Sequence, residues 1–411
     1  MKITLSKNKI YKYLLLIPIM KPGLFTQQCF NSINTVYSFF RILVFAILIY
    51  KLFAKRGSVS ASKLFFSVSL YQFYILAVTV CTNPSGFTVW AGPATAIMTV
   101  VLLFDYYRDE VIEVILCIAN ILWWYFWINE VCVFVCVIAS KSTDAGLSFF
   151  YSKIAQNQYF LGMDNRFINY FFPTILANYI IEKRHNKSFR KTFSVLFVGT
   201  ATLVVLKAVG GIMGMLSLAI VVTAMFFSRR KIVIHIWLTI VFTILVSIVF
   251  IWVSCVHTEI LYSFFQNMIL KGSNYLDRVK MWKNVFEKVF YQRPLTGIGV
   301  QNLSYMRYIM RYNHAHNLIM TLLLQGGIIG EVLWWRSIFI GTGKMNNMGK
   351  NTLGIMISAF IGIEFLTNIM DSTNDSYFFI LVCVAFYIDS IIESLNFKSS
   401  YKESNTRSLA G

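Results

Sequence analysis

Long apolar runs dominate this sequence and restrict what it can fold into. Hydrophobic residues make up 57% of the 411 residues and charged residues only 13%, a composition outside the usual range for soluble proteins. About twelve runs are long enough to cross ~30 Å of hydrocarbon, although some are short or interrupted. We therefore predict an all-α, polytopic membrane helical bundle of about twelve transmembrane helices.

The ends of the apolar runs define the predicted spans, and each bound is uncertain by several residues. Together they form one membrane domain over residues 1–397, which includes an external loop at about 256–316. A polar tail over 398–411 is expected to be a disordered cytoplasmic end. The spans lie near 10–25, 35–54, 64–81, 86–104, 111–139, 167–182, 192–208, 210–228, 232–254, 317–340, 352–370 and 376–395.

The distribution of lysine and arginine predicts the orientation of the chain. Basic residues concentrate in loops that face the cytoplasm when the amino terminus is inside, so both termini are expected there. These loops lie near 51–63, 183–191, 229–231 and 344–350. The inner loop at 105–110 fits this pattern least well, because it carries little positive charge. When the chain is threaded through the membrane in this orientation, the loops near 81–87, 141–166, 257–313 and 371–375 face outward.

The formal net charge of +19 follows largely from this orientation signal. The 37 basic residues, set against 18 acidic ones, form no continuous face on a soluble module, so no nucleic-acid partner is expected. The seven cysteines are odd in number, and most lie within or at the ends of apolar runs without disulfide or metal spacing. No cofactor or metal is predicted. No cleavable signal peptide is expected, because IPIMKPG lacks a small-residue cleavage site.

The loop from about His257 to Asn313 departs from the positive-inside pattern. Cations held on the outer side against that bias suggest an anionic ligand at the outer membrane surface. The alternative is that long translocated loops tolerate charge freely, and charge alone leaves both open. The basic residues are Lys271, Arg278, Lys280, Lys283, Lys288, Arg293, Arg307 and Arg311, against Glu259, Asp277 and Glu287.

Within this loop, the segment YLDRVKMWKNVFEKVF has apolar residues at helical spacing. We predict an amphipathic helix that lies on the membrane plane or against the bundle. Ser273 and Asn274 are its candidate caps, and Gln292 to Pro294 mark its end. Gly297 and Gly299 follow and allow a tight turn, although a short glycine pair is weak support for phosphate binding.

Two histidines stand directly before a long apolar span. His314 and His316 would point in different directions on an ideal helix, but they would share a face of an extended segment. Asn317 could cap the span that begins at Leu318. An imidazole at the outer mouth is well suited to move a proton near neutral pH. The alternatives are an interfacial histidine without a role and a zinc site, for which no nearby third ligand is present.

Two glycine pairs have the spacing of close helix packing. Gly326 and Gly330 lie in the span after the histidines, and Gly210 and Gly214 follow Lys207. We expect all four to let helices approach one another. Lys207 lies at the outer end of a hairpin between two apolar runs, where a cation is costly enough to need a partner. Snorkelling to the interface is the alternative explanation.

Taken together, these segments resemble the O-antigen ligase and polymerase superfamily, membrane glycosyltransferases that act on polyprenyl-diphosphate-linked glycans. The segments are HAHNLIMTLLLQGGIIG, DRVKMWKNVF with RPLTGIGVQN, and LKAVGGIMGML. The opening LLLIPIMKPGLF also looks like the start of capsule or O-antigen polymerases. The specific likeness covers about 270–332. It implies a GT-C-like bundle in the bacterial cytoplasmic membrane, with its active site on the periplasmic face.

The resemblance also implies roles for single residues. His316 matches the proposed catalytic histidine, Arg278 matches the arginine of the outer loop, and Lys207 falls where relatives usually have arginine. Two departures are Gln325, where relatives often carry Glu, and Lys207 itself, which would bind phosphate as a point charge without a bidentate fork. Further candidates are Arg307 and Arg311 for the diphosphate, and His314 and Asn317 as auxiliary residues.

The implied activity is polymerisation of undecaprenyl-diphosphate-linked repeat units, with inversion and without a metal. The implied partners are these lipid-linked glycans, membrane lipid and a chain-length regulator. A ligase would use the same donor with a lipid-A core or protein acceptor, and the residues do not separate the two. The opening and the compact loop favour a polymerase. A flippase or exporter would carry charges through its central spans, whereas Glu113, Glu364 and Asp389 are scattered.

Overall fold

A computed structural model describes most of the chain as helices and turns, with one short hairpin of β1 (Gln158–Tyr159) and β2 (Gly162–Met163). The predicted tail over 398–411 lies outside the described residues. These residues are 7–26, 30–54, 61–141, 158–227, 235–266, 272–312, 314–348, 351–369, 371 and 374–396.

The prediction of an all-α polytopic bundle is confirmed, since helices occupy most of each predicted apolar span in the described part of the chain, although the first span and two later ones are interrupted. The helices are α1 Lys7–Leu16, α2 Asn31–Ala54, α3 Lys63–Thr82, α4 Phe87–Tyr106, α5 Val111–Lys141, α6 Phe167–Arg184, α7 Arg190–Val205, α8 Val209–Phe227, α9 Ile236–Val256, α10 Thr258–Phe264, α11 Gly272–Val285, α12 Leu303–Met310, α13 Leu318–Thr342, α14 Thr352–Thr367, α15 Ser376–Phe386 and α16 Ile388–Asn396. Three helices, α10 to α12, lie in the loop predicted at about 256–316, and the others follow the spans, with α15 and α16 sharing the last one.

Six helical stretches in the described part of the chain are long and apolar enough to cross a membrane. A seventh arises if α15 and α16, bent by 62° at their junction, form one span. Apolar side chains on α9, such as Leu238 and Phe242, are 69% and 61% exposed, as expected of a surface that faces lipid. The total of about twelve spans remains a prediction.

The first predicted span, 10–25, is wrong as a continuous helix. Helix α1 ends at Leu16, and the chain then turns through Lys21 to Thr26. Pro18 and Pro22 follow directly, and a proline within a helix removes a hydrogen bond and clashes with the preceding turn. The sequence IPIMKPG therefore ends the helix early.

Polar contacts join several loops at the end of the bundle opposite the histidines. Arg184 pairs with Glu113 at 2.9 Å, and Lys12 pairs with Glu110. Asp105 accepts hydrogen bonds from the Tyr387 hydroxyl at 2.6 Å and from the Ser62 amide at 2.7 Å. The acidic residues near 105–113 are therefore partners of groups on other helices.

The loops that the threading turns outward meet at the other end, which we call the histidine end because helix α13 begins there. Asn165 donates to Asp371 at 2.9 Å. Arg293 donates to the Thr82 hydroxyl at 3.0 Å, and Asn302 donates to Ser85 at 2.8 Å. Segments far apart in sequence therefore form one polar surface, as the threading requires.

The predicted amphipathic helix is α11, which continues as a π-helical turn over Phe286–Phe290. Its buried face carries Val279, Trp282 and Val289 and packs with residues of α9 and α13 in a separate hydrophobic cluster. The helix is described from Gly272, and the side chains of Ser273 and Asn274, its predicted caps, lie outside the described residues. Of the two predicted positions, α11 lies against the bundle.

Helix α13 is broken at Gly327, which has φ 57° and ψ −159°. The segment after α11 fills this break. Ile298 donates to the Leu324 carbonyl at 2.9 Å, Gly299 donates to the Gln325 carbonyl at 2.9 Å, and the Ile328 amide donates to the Pro294 carbonyl at 2.9 Å. The predicted span at 317–340 is thus two helical pieces clamped by a loop.

Gly297 and Gly299 serve this clamp and face protein backbone rather than an anion. Both have positive φ, at 62° and 74°. A Cβ at Gly297 would lie 2.6 Å from the Leu324 carbonyl oxygen, and one at Gly299 would lie 2.4 Å from the Thr79 Cα. Glycine is required here for close approach and for backbone conformation.

The four glycines predicted to pack helices differ in their surroundings. A Cβ at Gly214 would lie 2.2 Å from Ile168 Cδ1, and one at Gly326 would lie 2.8 Å from Ile75 Cδ1. At Gly330 the nearest atom would be Tyr74 Cε1 at 3.5 Å, an ordinary contact. A Cβ at Gly210 would meet no atom within 4 Å in the part of the chain that the structure describes, so no helix packs closely against it there and the predicted packing role is wrong. It lies in the first turn of α8, where the helix borders a cavity.

Candidate functional site

A cavity of about 450 Å³ opens at the histidine end, between α6, α8, α11 and α14. We call it the polar cavity, because charged and polar side chains from helices and from the segments at 164–165 and 371 line it. Ile168, Met213 and Leu366 are apolar members of the lining. Its polar lining residues are Asp164, Asn165, Asn169, Ser217, Tyr275, Arg278, Thr367 and Asp371.

Arg278 is the predicted site residue that lies in this cavity. It is half-buried on α11, where burial lowers the pKa of its guanidinium from the ordinary value and the nearby Asp371 carboxylate opposes that shift. A guanidinium stays charged under these conditions. The cavity therefore presents a fixed cation beside a carboxylate, an arrangement able to bind a phosphate group bidentately.

The two histidines lie at the edge of this cavity rather than in its lining. Their rings meet edge to face, with centroids 3.7 Å apart. His316 Nδ1 lies 3.9 Å from Asp371 Oδ1, which is too long for a hydrogen bond. Both Nδ1 atoms are buried and make no hydrogen bond among the residues that the structure describes. His316 thus reaches the cavity through Asp371.

Side chains on either side hold the histidine segment in place. The Trp282 indole donates to the carbonyl of Ala315, between the two histidines, at 2.8 Å. Asn317 caps α13, as predicted, by accepting from the Met320 amide at 3.0 Å. Its amide group also donates to the Ile369 carbonyl at 2.8 Å. Asn317 therefore fixes the histidine segment to the chain that leads into Asp371.

The histidine segment also has an unusual backbone conformation. Four described residues other than glycine have positive φ: Asn186, Lys207, Arg311 and His316. Three of these are predicted site residues. Such conformations cost free energy and occur often at functional sites. At His316, with φ 49°, the turn directs the chain from the imidazole into the Asn317 cap.

Electrostatics keeps both imidazoles neutral. Burial lowers the pKa of His316 to about 3, with further lowering by His314, Arg278 and Arg166. Burial and the Arg166 charge also lower the pKa of His314, and Asp371 opposes them. At that pKa the approach of His316 to Asp371 is not an ion pair. A neutral imidazole beside fixed cations can accept a proton.

The remaining predicted cations lie farther from the polar cavity. Lys207 is exposed between α7 and α8, and its neighbours Ala208 and Gly210 line the cavity. Arg307 and Arg311 are exposed on α12 and at its end, and neither is among the lining residues. The structure therefore brings together Arg278 and the histidines, places Lys207 at the margin, and leaves the α12 arginines outside.

The sequence analysis missed Asp371, Asn165 and Arg166 as site residues. Asp371 accepts from Asn165, approaches His316 and acts on Arg278, so it joins the parts of the site. Arg166 contributes to the positive potential at both histidines. The available signal was their position in loops that the predicted orientation placed on the same side as the histidines.

A larger and mainly apolar cavity of about 1140 Å³ lies between α9 and α13, and we call it the apolar groove. Ile319 and Met320, in the first turn after Asn317, belong to its lining, so it begins beside the histidine segment. Its polar members contact neighbours: Glu331 accepts from the Trp335 indole at 2.9 Å, and Arg336 donates to Ser67 at 3.1 Å. The groove is large enough for part of a hydrocarbon chain.

Comparison with known proteins identifies one family. Residues 194–335 match the family described as O-antigen ligase. The matched segment runs from α7 into α13 and contains Lys207, Arg278 and both histidines. Arg166 and Asp371 lie outside it. No curated protein matches the chain.

Proposed function

We propose that this chain, which belongs to the O-antigen ligase and polymerase superfamily, is a polysaccharide polymerase. It joins undecaprenyl-diphosphate-linked repeat units into O-antigen or capsular polysaccharide at the outer face of the bacterial cytoplasmic membrane. The observation that supports this best is the meeting of neutral His316 with Arg278 and Asp371 at the polar cavity. A proton acceptor and a phosphate-binding cation are the two groups that metal-independent glycosyl transfer from a diphosphate requires.

The donor is positioned by the two cavities. Its diphosphate binds Arg278 in the polar cavity, with Lys207 at the margin, and the cations stabilise the charge that develops as the diphosphate departs. Its polyprenyl chain lies in the apolar groove, which begins at Ile319 directly after the histidine segment. Arg307 and Arg311 would contact the donor only if it extends beyond the cavity.

His316 acts as the general base. Its imidazole takes the proton from the acceptor hydroxyl as that oxygen attacks the anomeric carbon of the donor. The new glycosidic bond forms while the bond to the diphosphate oxygen breaks, so undecaprenyl diphosphate leaves with the electron pair and the anomeric centre inverts. Asp371 orients the ring by accepting from Nδ1 once the site closes on its substrates, which leaves Nε2 to take the proton.

This arrangement predicts an unusual pH dependence. In the free protein His316 is already neutral above a pKa of about 3, so the acid limb of kcat/KM for the donor should lie well below pH 6. Bound diphosphate adds negative charge beside the imidazole and raises its pKa, so the acid limb of kcat should lie at higher pH than that of kcat/KM. Initial rates measured from pH 4 to 8 in proteoliposomes test both limbs. A shared limb near pH 6.5 would contradict the electrostatic account.

A polymerase is preferred to a ligase for two reasons. The opening of the chain looks like the start of capsule or O-antigen polymerases, and the compact outer loop is closer to that branch of the superfamily. In a polymerase the acceptor is the terminal sugar of another lipid-linked repeat unit, whereas a ligase uses a lipid-A core or another acceptor. A chain-length regulator is a further proposed partner of the polymerase.

Complementation of a strain that lacks surface polymer separates these activities. Wild type should restore a ladder of long chains, and Arg278→Ala should leave single repeat units with normal attachment. Lys280→Ala is the matched control, because Lys280 is exposed on the same helix. Lipid-linked polymer that accumulates without attachment in the Arg278→Ala strain would instead identify a ligase. Full-length surface polymer with Arg278→Ala would refute the proposed site.

A further inference from the structure

A second pair of cations lies at the histidine end and has no role in the mechanism above. Arg41, on α2, is only 6% exposed, and Lys21 is half-buried in the turn after α1. Lys21 reaches α2 at Asn34, seven residues before Arg41 on the same face of that helix, and the Arg41 charge acts on it. Their hydrogen-bond partners are neutral: Lys21 donates to the Asn34 side chain at 2.5 Å, and Arg41 donates to the Gly92 carbonyl at 2.8 Å.

This pair is not neutralised within the part of the chain that the structure describes. No described carboxylate lies within ion-pair distance of Lys21 or Arg41, and the buried Nε of Arg41 makes no hydrogen bond there. Like charges buried together in a membrane protein are costly unless an anion joins them. The pair therefore has the chemistry of an anion-binding site.

The position of the pair relates it to the catalytic site. The Tyr377 hydroxyl donates to the Lys21 carbonyl at 3.2 Å, and Tyr377 follows Asp371 closely in sequence. A six-residue connection spans at most about 21 Å, so both sites belong to the same end of the bundle. Neither Lys21 nor Arg41 lines the polar cavity. The pair is thus a neighbouring site and not a part of the first.

The proposed reaction requires two anionic groups in such an arrangement. The donor diphosphate is bonded to the reacting anomeric carbon and must lie beside His316. The acceptor hydroxyl belongs to the sugar at the far end of its repeat unit, so the acceptor diphosphate must lie away from His316 but at the same membrane face. Lys21 and Arg41 satisfy both conditions.

Resting on the proposed function, we infer that Lys21 and Arg41 bind the diphosphate of the lipid-linked acceptor. An anionic phospholipid headgroup presents the same phosphate chemistry and is the competing source of the ligand. The alternative is a purely structural role. In that case Arg41 only donates to the Gly92 carbonyl, next to Pro93 in α4, and binds no anion.

The test is Lys21→Gln, because the half-exposed Lys21 can be changed with less risk to folding than Arg41. In nanodiscs of phosphatidylcholine, the KM for a diphosphate-linked acceptor should rise about tenfold to a hundredfold, the size expected for a lost charge-assisted hydrogen bond. The KM for the donor should not change. The same oligosaccharide without its diphosphate should be extended equally by wild type and variant.

Lys51→Gln is the matched control. Lys51 is a cation on the same helix as Arg41, but it lies over the Tyr11 ring at the opposite end of the bundle, and its substitution should leave both KM values unchanged. Equal losses with both acceptors, or no change in KM, would overturn the inference. So would a Lys21→Gln effect that appears only in phosphatidylglycerol nanodiscs, because it would identify a headgroup site. If wild type extends neither acceptor, the proposed function fails instead.

Discussion

Replacing His316 with alanine is expected to lower kcat for chain elongation by about 10²–10⁴-fold, the usual contribution of a positioned general base. Folding should be unaffected, because the ring makes no hydrogen bond through its buried Nδ1 within the described part of the chain. KM for the donor should change little, since Arg278 and the apolar groove bind the donor. Release of undecaprenyl diphosphate by purified protein in nanodiscs measures the rate, and thermal unfolding checks the fold.

His314→Ala is the matched control for this result. The two rings are in contact, and His314 contributes to lowering the pKa of His316, so its removal raises that pKa toward the ordinary value. At pH 7 to 8 the base remains neutral, and the expected loss of kcat is much smaller than for His316→Ala. A large loss with His314→Ala and near-normal activity with His316→Ala would reverse the assignment of the base.

The sequence predicted the fold well where the length of apolar runs determines it. Most of each predicted span is helical in the described part of the chain, because a bilayer requires long apolar segments with internally satisfied backbones. The prediction failed where local backbone chemistry interrupts a run. Pro18 and Pro22 end α1 early, and Gly327 breaks α13 in the middle of a stretch that stays apolar. Hydropathy is insensitive to such interruptions.

The candidate site was predictable where its residues cluster in one segment. His316 and Asn317 were found because they stand beside the unusual basic loop, and the family resemblance singled out Arg278 among the cations of that loop. Asn317 caps α13 as expected. Asp371 and Arg166 were missed because each lies in a loop far from His316 in sequence and belongs to no local motif. Only the packing of α6, α13 and α14 brings them together. Arg307 is exposed because of where α12 packs on the rest of the protein. The spacing of residues within the segment does not determine that packing position.

Gly327 should tolerate no side chain without a large loss of stability. In Gly327→Ala the new Cβ would lie 2.4 Å from the Leu295 carbonyl carbon, a contact with backbone that no rotamer change relieves. The combination of φ 57° and ψ −159° is also nearly restricted to glycine. Together these effects should destabilise the protein by about 3 kcal/mol or more, the range of severe single substitutions. Thermal unfolding in detergent and the monodisperse fraction measure the loss.

Gly330→Ala separates this backbone effect from general helix packing. Gly330 lies one turn further along α13, and its nearest new contact would be Tyr74 Cε1 at 3.5 Å, an ordinary van der Waals distance. The alanine should therefore be tolerated, and its higher helix propensity offsets part of any packing cost. Equal stability of the two variants would contradict the clamp formed by the Pro294 to Gln301 segment. The clamp fixes the first half of α13, which begins directly after His316 and Asn317. Any folded Gly327→Ala protein should therefore also have a reduced kcat, because the position of His316 depends on that half.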